Sequence, residues 1–290
     1  MAEIKGIIIK AISGFFYVES NGDIYTCKAK GNFKKLGIKP LVGDNVVIDT
    51  VDLIVTDVLQ RKNFLIRPPV ANIDKLFIIS SFKTPQPNAL NIDRLIAIAE
   101  QQNIEPILIF NKSDLGDMRE FVDIYSKSGF KCITTSAKNK NSCDEILPLL
   151  EGSTSVFTGN SGVGKSSILN VLFKNKTELK TSEVSEKLGR GKHTTRHCEL
   201  FKVNQGYVAD TPGFSAIDME CMLKCEKEDL CDLFREFKSF IPNCKFTSCS
   251  HCNDKGCAVV DAVENGVIDK SRHESYKIIY SELKQVDKWK

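Results

Sequence analysis

With 290 residues the chain is long enough for two or three domains, and its 42% hydrophobic content excludes an intrinsically disordered polymer. No apolar run approaches the roughly eighteen residues of a membrane helix. The start MAEIKGIIIK has no small-residue cleavage site of a secretory signal, so a cytoplasmic protein with no membrane partner is expected.

Residues 1–67 read as short β runs between turns. GIIIKAI, GFFYVES and DIYTCKA are separated by Ser13-Gly14 and by Asn21-Gly22-Asp23, a strong hairpin signal, and VVIDTVDLIVTDVLQ supplies more strand. Some five strands in so short a span predict a small β-barrel, with an OB-fold the first choice. The net charge of +3 resides in these residues, which carry ten Lys/Arg against seven Asp/Glu. Lys28, Lys30, Lys34, Lys35 and Lys39 run without an intervening acid, and taken alone such a run reads as a solvated face. Pro68-Pro69 ends the unit, because neither residue can donate to a sheet ladder.

Residues 68–218 alternate strand and helix. IDKLFIIS, EPILIF, CITTS and SVFTG read as strands, and NIDRLIAIAEQQ, residues 117–128, DEILPLL and GKSSILNVLF as helices. Such alternation predicts a largely parallel sheet covered on both faces. CELFKV and GYVAD then form a hairpin ending at Asp210. Residues 219–290 make a third unit, helical throughout, with Cys221, Cys225 and Cys231 read as ordinary helix residues. Seven of the eleven cysteines fall between Cys221 and Cys257. Without a secretory signal, such a cluster reads as metal ligands sooner than as disulfides.

The segment Gly159-Asn160-Ser161-Gly162-Val163-Gly164-Lys165-Ser166, followed by Ser167, satisfies G-x-x-x-x-G-K-[ST] between a strand and an apolar-periodic helix. Its glycines let backbone N–H groups point inward at phosphate, and the helix N-terminus favours an anion. Lys165 would reach the β- and γ-phosphates and Ser166 would ligate Mg²⁺. Asn111-Lys112-Ser113-Asp114 distinguishes GTP from ATP. The Asp114 carboxylate can accept from the N1–H and 2-amino group of guanine, whereas adenine would leave it unpaired. Asn111 and Lys112 would brace base and loop. At the next strand end, Ser136-Ala137-Lys138 would present the Ala137 N–H to the guanine O6.

Asp210-Thr211-Pro212-Gly213 supplies a third nucleotide element, with Asp210 holding Mg²⁺ through water and the Gly213 N–H sensing the γ-phosphate. Between it and the phosphate loop lies Gly189-Arg190-Gly191-Lys192-His193-Thr194-Thr195-Arg196. One of Thr194 and Thr195, with Thr195 the first choice, would complete Mg²⁺ coordination. Position 214, where a water-orienting glutamine often stands, is Phe214, which cannot orient water. His193 is therefore the best candidate for that catalytic role, and slow unaided turnover is expected. The guanine reader precedes the phosphate loop, the reverse of the usual order, so the nucleotide domain is circularly permuted. Cys244-x₄-Cys249-x-His251-x₅-Cys257 supplies four ligands suited to a closed tetrahedral zinc site, with Cys252 a competing neighbour.

Taken together, N-K-S-D, S-A-K, G-N-S-G-V-G-K-S-S, G-R-G-K-H-T-T-R, D-T-P-G-F and C-x₄-C-x-H-x₅-C, in that order, resemble the ribosome small subunit-dependent GTPase A family. Pro40-Leu41-Val42-Gly43-Asp44 extends the resemblance into the barrel. The resemblance implies an OB-fold, a circularly permuted α/β P-loop GTPase domain and a C-terminal zinc-binding domain. It also implies late maturation of the 30S subunit, with GTP hydrolysis stimulated by that subunit, and it shifts the lysine run toward rRNA contact. A monomer is expected. Two other readings stay open: a GTP-sensing rRNA-binding module with negligible turnover, and redox chemistry at the cysteines.

Overall fold

The computed structural model describes residues 3–136, 138–139, 143–174, 198–203, 205–210 and 223–286. Five strands form the N-terminal barrel: β1 (Glu3–Ile12), β2 (Phe15–Ser20), β3 (Asp23–Ala29), β4 (Asn45–Asp49) and β5 (Ile54–Val58). They close in the order β1-β2-β3-β5-β4-β1, with β3 and β5 parallel. This is the expected OB-like barrel. Ile8, Val18, Cys27, Val46, Ile48 and Val55 fill it. A register shift between Ile8 and Lys10 bends β1, so that its first half pairs with β4 and Lys10 stands opposite Glu199 of the next domain.

The Pro40–Asp44 segment is a structural clasp. Asp44 is buried and accepts from Leu41 N at 2.6 Å, Arg61 Nε at 2.6 Å and Arg61 Nη2 at 2.7 Å. Gly43 has φ +88°, and a Cβ there would lie 2.2 Å from the Ala71 carbonyl oxygen, so only glycine lets the turn touch the following segment. That segment is a two-stranded ribbon, β6 (Phe64–Leu65) and β7 (Val70–Ala71), with Pro68-Pro69 in its turn.

The sheet continues into a second part, which contains β8 (Lys75–Ser81), β9 (Glu105–Asn111), β10 (Lys131–Thr134), β11 (Thr154–Thr158), β12 (Glu199–Val203) and β13 (Gly206–Asp210), joined through the pairing of β1 with β12. Its order is β10-β9-β8-β11-β13-β12, parallel except for β12. Alternate residues of β8 serve two cores, as expected for a strand covered on both faces. Leu76 and Ile78 pack with α1 (Ala89–Gln101) and α2 (Arg119–Lys127). Phe77 and Ile79 pack with α3 (Leu147–Leu150) and α4 (Lys165–Lys174). The Phe77 and Phe157 rings stack with centroids 4.6 Å apart.

The C-terminal unit is helical as expected, but its first part is in short pieces. Residues 227–243 form three short 3₁₀ segments, Lys227–Leu233, Arg235–Phe237 and Ile241–Asn243. Among the described residues of this unit only α5 (Ala258–Glu264) and α6 (Lys270–Val286) are α-helical. Cys231 lies in a 3₁₀ segment and Cys225 precedes it, while Cys221 is outside the described residues. The cause is packing: Phe234 takes an extended conformation that stops the helix. It and Phe237 then stack around Tyr276, at 5.2 and 4.9 Å between centroids.

Three arginines fasten this unit to the nucleotide domain. Arg272, on α6 and fully buried, donates to Asp93 of α1 at 2.5 Å and to Glu236 at 2.7 Å, with Phe234 4.7 Å from its guanidinium carbon. Arg235 donates to Glu100 at 2.7 Å and Glu105 at 2.8 Å. Arg94 pairs with Glu282.

Candidate nucleotide site and metal centre

The described nucleotide motifs, residues 111–114, Ser136 with Lys138, and 159–167, converge at the carboxyl ends of parallel strands, the usual ligand-binding edge of an open α/β sheet. β11 leads into the loop 159–164 and then α4, while β9 ends at Asn111, one strand removed across β8. The two motifs are stitched together directly. Asn111 Nδ2 donates to the Val163 carbonyl at 2.8 Å, and Lys112 Nζ donates to the Gly162 carbonyl at 2.7 Å and to that of Thr84. Lys112 reaches that position from a left-handed backbone, φ +63°.

Glycine is required here by both conformation and space. Gly159, Gly162 and Gly164 have φ of +145°, +82° and +98°. A Cβ at Gly159 would lie 2.2 Å from the Ile79 oxygen, and one at Gly164 would lie 2.2 Å from Asn111 Nδ2. Ser161, Ser166 and Ser167 are exposed, the latter two in the first turn of α4, where backbone N–H groups have no helical partner. Lys165 Nζ turns back onto the loop carbonyls of Gly159 at 2.5 Å and Asn160 at 2.9 Å. Burial pushes this ammonium down to about 8.

Asp114 receives hydrogen bonds from Lys138 Nζ and Ser136 Oγ, both at 2.7 Å, and these hold its carboxyl below the usual range. Ser113 donates its N–H to the Thr135 carbonyl at 3.1 Å, which registers the two loops. The backbone of Asp210 ends β13 beside β11. Ala137, His193, Thr194, Thr195, Gly213 and Phe214 lie outside the described residues.

Cys244, Cys249, His251 and Cys257 come together, their donor atoms all within 4.8 Å of one another. Tetrahedral zinc, with bonds of about 2.3 Å to sulfur and about 2.0 Å to nitrogen, implies S···S edges of about 3.8 Å and S···N edges of about 3.5 Å. The measured edges are 3.9 Å for Cys244–Cys257, and 3.6 and 3.5 Å from His251 Nδ1 to Cys244 and Cys257. A sulfur separation of 3.9 Å is far from the roughly 2.05 Å of a disulfide. Burial pushes the Cys249 thiol up to about 12, so the thiolate a metal takes needs a cation at the centre. The fit is to a single metal ion.

The surrounding loop is braced. His273 Nε2 donates to the His251 carbonyl at 2.7 Å, Tyr276 Oη donates to that of Ser250 at 2.8 Å, and Ser250 donates to Asp254. Cys252 stands outside the cluster. Sequence reading missed the Arg272 clamp and the Asn111–Val163 stitch. The one available signal was Asp93, a charge among the apolar residues of α1.

Comparison with known proteins agrees with this arrangement. A model described as "RsgA GTPase" matches residues 58–220, more than half the chain, and one described as "RsgA N-terminal domain" matches residues 5–53. The chain belongs to the RsgA GTPase family. It is thus a GTP hydrolase by family. A curated relative from Caldanaerobacter subterraneus, named "Small ribosomal subunit biogenesis GTPase RsgA", is 42% identical over 99% of this chain and 98% of its own. One of the same name from Bacillus anthracis is 44% identical over 97% and 98%. Among solved structures, YjeQ from Thermotoga maritima superposes with TM-score 0.81 at 33% identity, covering 97% of this chain and 99% of its own. YloQ, titled "a circularly permuted GTPase", superposes with TM-score 0.81 at 32% identity, covering 98% and 96%.

A further model, described as "50S ribosome-binding GTPase", matches residues 154–287. Its description names the other subunit. It starts at the strand before the phosphate loop and omits residues 111–114, so it sees only the phosphate-binding side of the site. RsgA relatives aligned over the whole chain carry more weight, and a match beginning at β11 is what a permuted domain produces.

Proposed function

We propose that this chain is a GTPase of small ribosomal subunit biogenesis, which binds GTP in this site, docks on subunit rRNA and is released after hydrolysis. The observation that carries the reading is the stitch of Asn111 and Lys112 onto the phosphate loop. It makes guanine recognition and phosphate binding one rigid unit although their order in the chain is reversed. Asp114, pre-organised by Ser136 and Lys138, selects guanine, with Asn111, Lys112 and Ser113 shaping its loop. Residues 159–164 with Ser166 and Ser167 hold the phosphates, Lys165 neutralises charge developing on them, and Ser166 and Asp210 hold Mg²⁺. His193, with Thr194 or Thr195, belongs to the loop expected to complete the site.

The Cys244, Cys249, His251 and Cys257 set suits one zinc ion per chain, which when bound supplies structural stability. Residues 1–67, 68–218 and 219–290 act as barrel, nucleotide and zinc units, and the barrel's excess positive charge suits rRNA phosphates. The small-subunit name of the full-length relatives supports this partner, and in the described residues no helix is long and apolar enough to cross a membrane.

GTP turnover titrated with purified small and large subunits tests the reading. Small subunits should accelerate hydrolysis at least tenfold and large ones should not. Acceleration by neither would leave the GTP-sensing module with negligible turnover, and acceleration by large subunits alone would reassign the partner.

A further inference from the structure

Three phenylalanines are exposed among the described residues: Phe15 at 39%, Phe64 at 44% and Phe246 at 52%. Each has a cation over its ring. Lys28 Nζ lies 5.3 Å from the Phe15 centroid, the Arg61 guanidinium carbon 5.7 Å from Phe64, and Lys245 Nζ 5.4 Å from Phe246. The three sit on separate elements: β2 of the barrel, the β6–β7 ribbon after it, and the metal loop. The other described phenylalanines are buried or half-buried.

Each ring is about half exposed, so roughly half of the 1.5–3 kcal/mol of full burial is forgone, and it is the repeated pairing of open ring with cation that points outward to a ligand. The pairing is held by structure in each case. Phe15 and Lys28 are register partners across β2 and β3. Arg61 is fixed by Asp44 at 2.6 Å. Lys245 is tied by its own N–H to the Gly256 carbonyl at 3.0 Å, so ring and ammonium ride on the metal loop.

A flat apolar face beside a fixed positive charge matches one chemistry closely: an unstacked nucleobase with its phosphate alongside. A base stacked on an aromatic ring is worth about 1–3 kcal/mol, and the cation adds attraction to the phosphate. In duplex RNA the base faces are already stacked on one another and unavailable. We propose that Phe15, Phe64 and Phe246 are stacking platforms for unpaired bases of RNA, each partnered by its cation for the adjacent phosphate. The chain then distinguishes single-stranded or looped RNA from paired RNA at three places. This deepens the proposed function and rests on small-subunit rRNA being the partner.

The test compares Phe15→Leu, Phe64→Leu and Phe246→Leu, which keep an apolar side chain but remove the ring, with the matching Phe→Trp variants. Zinc content and melting temperature confirm that each chain is folded. The probes are purified small subunits, an oligoadenylate of about twelve nucleotides and an RNA duplex of equal length. Each Leu variant should bind subunits and oligoadenylate about fivefold or more weakly, while the Trp variants bind as wild type and duplex affinity stays unchanged. Leu variants that bind all probes as tightly as wild type would overturn the platforms. Weakened subunit binding with unaltered oligoadenylate binding would also overturn them, and would assign the rings to ribosomal protein. Failure of the wild-type chain to bind small subunits would instead overturn the function on which the inference rests.

Discussion

The Lys165 ammonium, held at about 8, makes GTP affinity depend on pH in a calculable way. The lysine is buried against carbonyl oxygens of Gly159 and Asn160, with no carboxylate partner among the described residues. A bound β,γ-phosphate supplies the missing anion and should restore its pKa to the ordinary lysine range. Because the free-state pKa is depressed, the charged form that binding needs is present below about pH 8 and is lost as pH rises through it. Affinity at pH 7 is then about 90% of its limit, at pH 8 about half, and at pH 9 about one-eleventh, the last a loss of about 1.4 kcal/mol. Binding at pH 8 should take up about half a proton per nucleotide. Calorimetry in two buffers of different ionisation enthalpy measures that proton directly. A Lys165→Ala chain serves as the blank for titration of the nucleotide itself. An affinity ratio below twofold between pH 7 and 9, after that subtraction, would refute the mechanism.

Asp114→Asn should weaken GTP and admit xanthosine triphosphate, whose C2 oxygen accepts where guanine donates; competition binding reads this, and an unchanged preference counts against Asp114 as the base reader. Gly164→Ala forces a Cβ to within 2.2 Å of Asn111 Nδ2 at φ +98°. Strain of about 1–3 kcal/mol should lower GTP affinity about fivefold or more, as measured by fluorescent-nucleotide titration. Metal analysis should find one zinc per chain, lost in Cys244→Ser together with a fall in melting temperature; full zinc retention would remove Cys244 from the ligand set. Arg272→Ala leaves Asp93 buried without its cation and should destabilise by about 3–5 kcal/mol in denaturant unfolding. A cost under about 1 kcal/mol would show that the clamp is incidental.

The readable parts of the chain were those whose chemistry is local. The phosphate loop is one turn between one strand and one helix, so its glycines and lysine are contiguous and their geometry follows from φ and sterics. The candidate metal donors fall within fourteen residues, Cys244 to Cys257, and adjacent residues cannot easily share one ion, which separates Cys252 from the rest. The barrel was legible from turn spacing. The breaking of residues 227–243 into 3₁₀ pieces was not legible, because propensity competes there with aromatic packing around Tyr276, a distant residue whose demands no local window contains.

By itself, then, the sequence determined the nucleotide, the guanine preference, the candidate metal donors and the permuted order, since each depends on residue type and short spacing. Tertiary structure alone decided how those pieces act as one body. The donation of Asn111 to Val163 spans 52 residues, the Arg272–Asp93 pair spans 179, and β1 meets β12 through Lys10 and Glu199. Such contacts arise from chain closure over long separations, where the choice of partner depends on everything packed between. The same holds for the three open rings: phenylalanine is ordinarily a core residue, and only burial in the folded chain reveals which ones were left outside, each beside a cation.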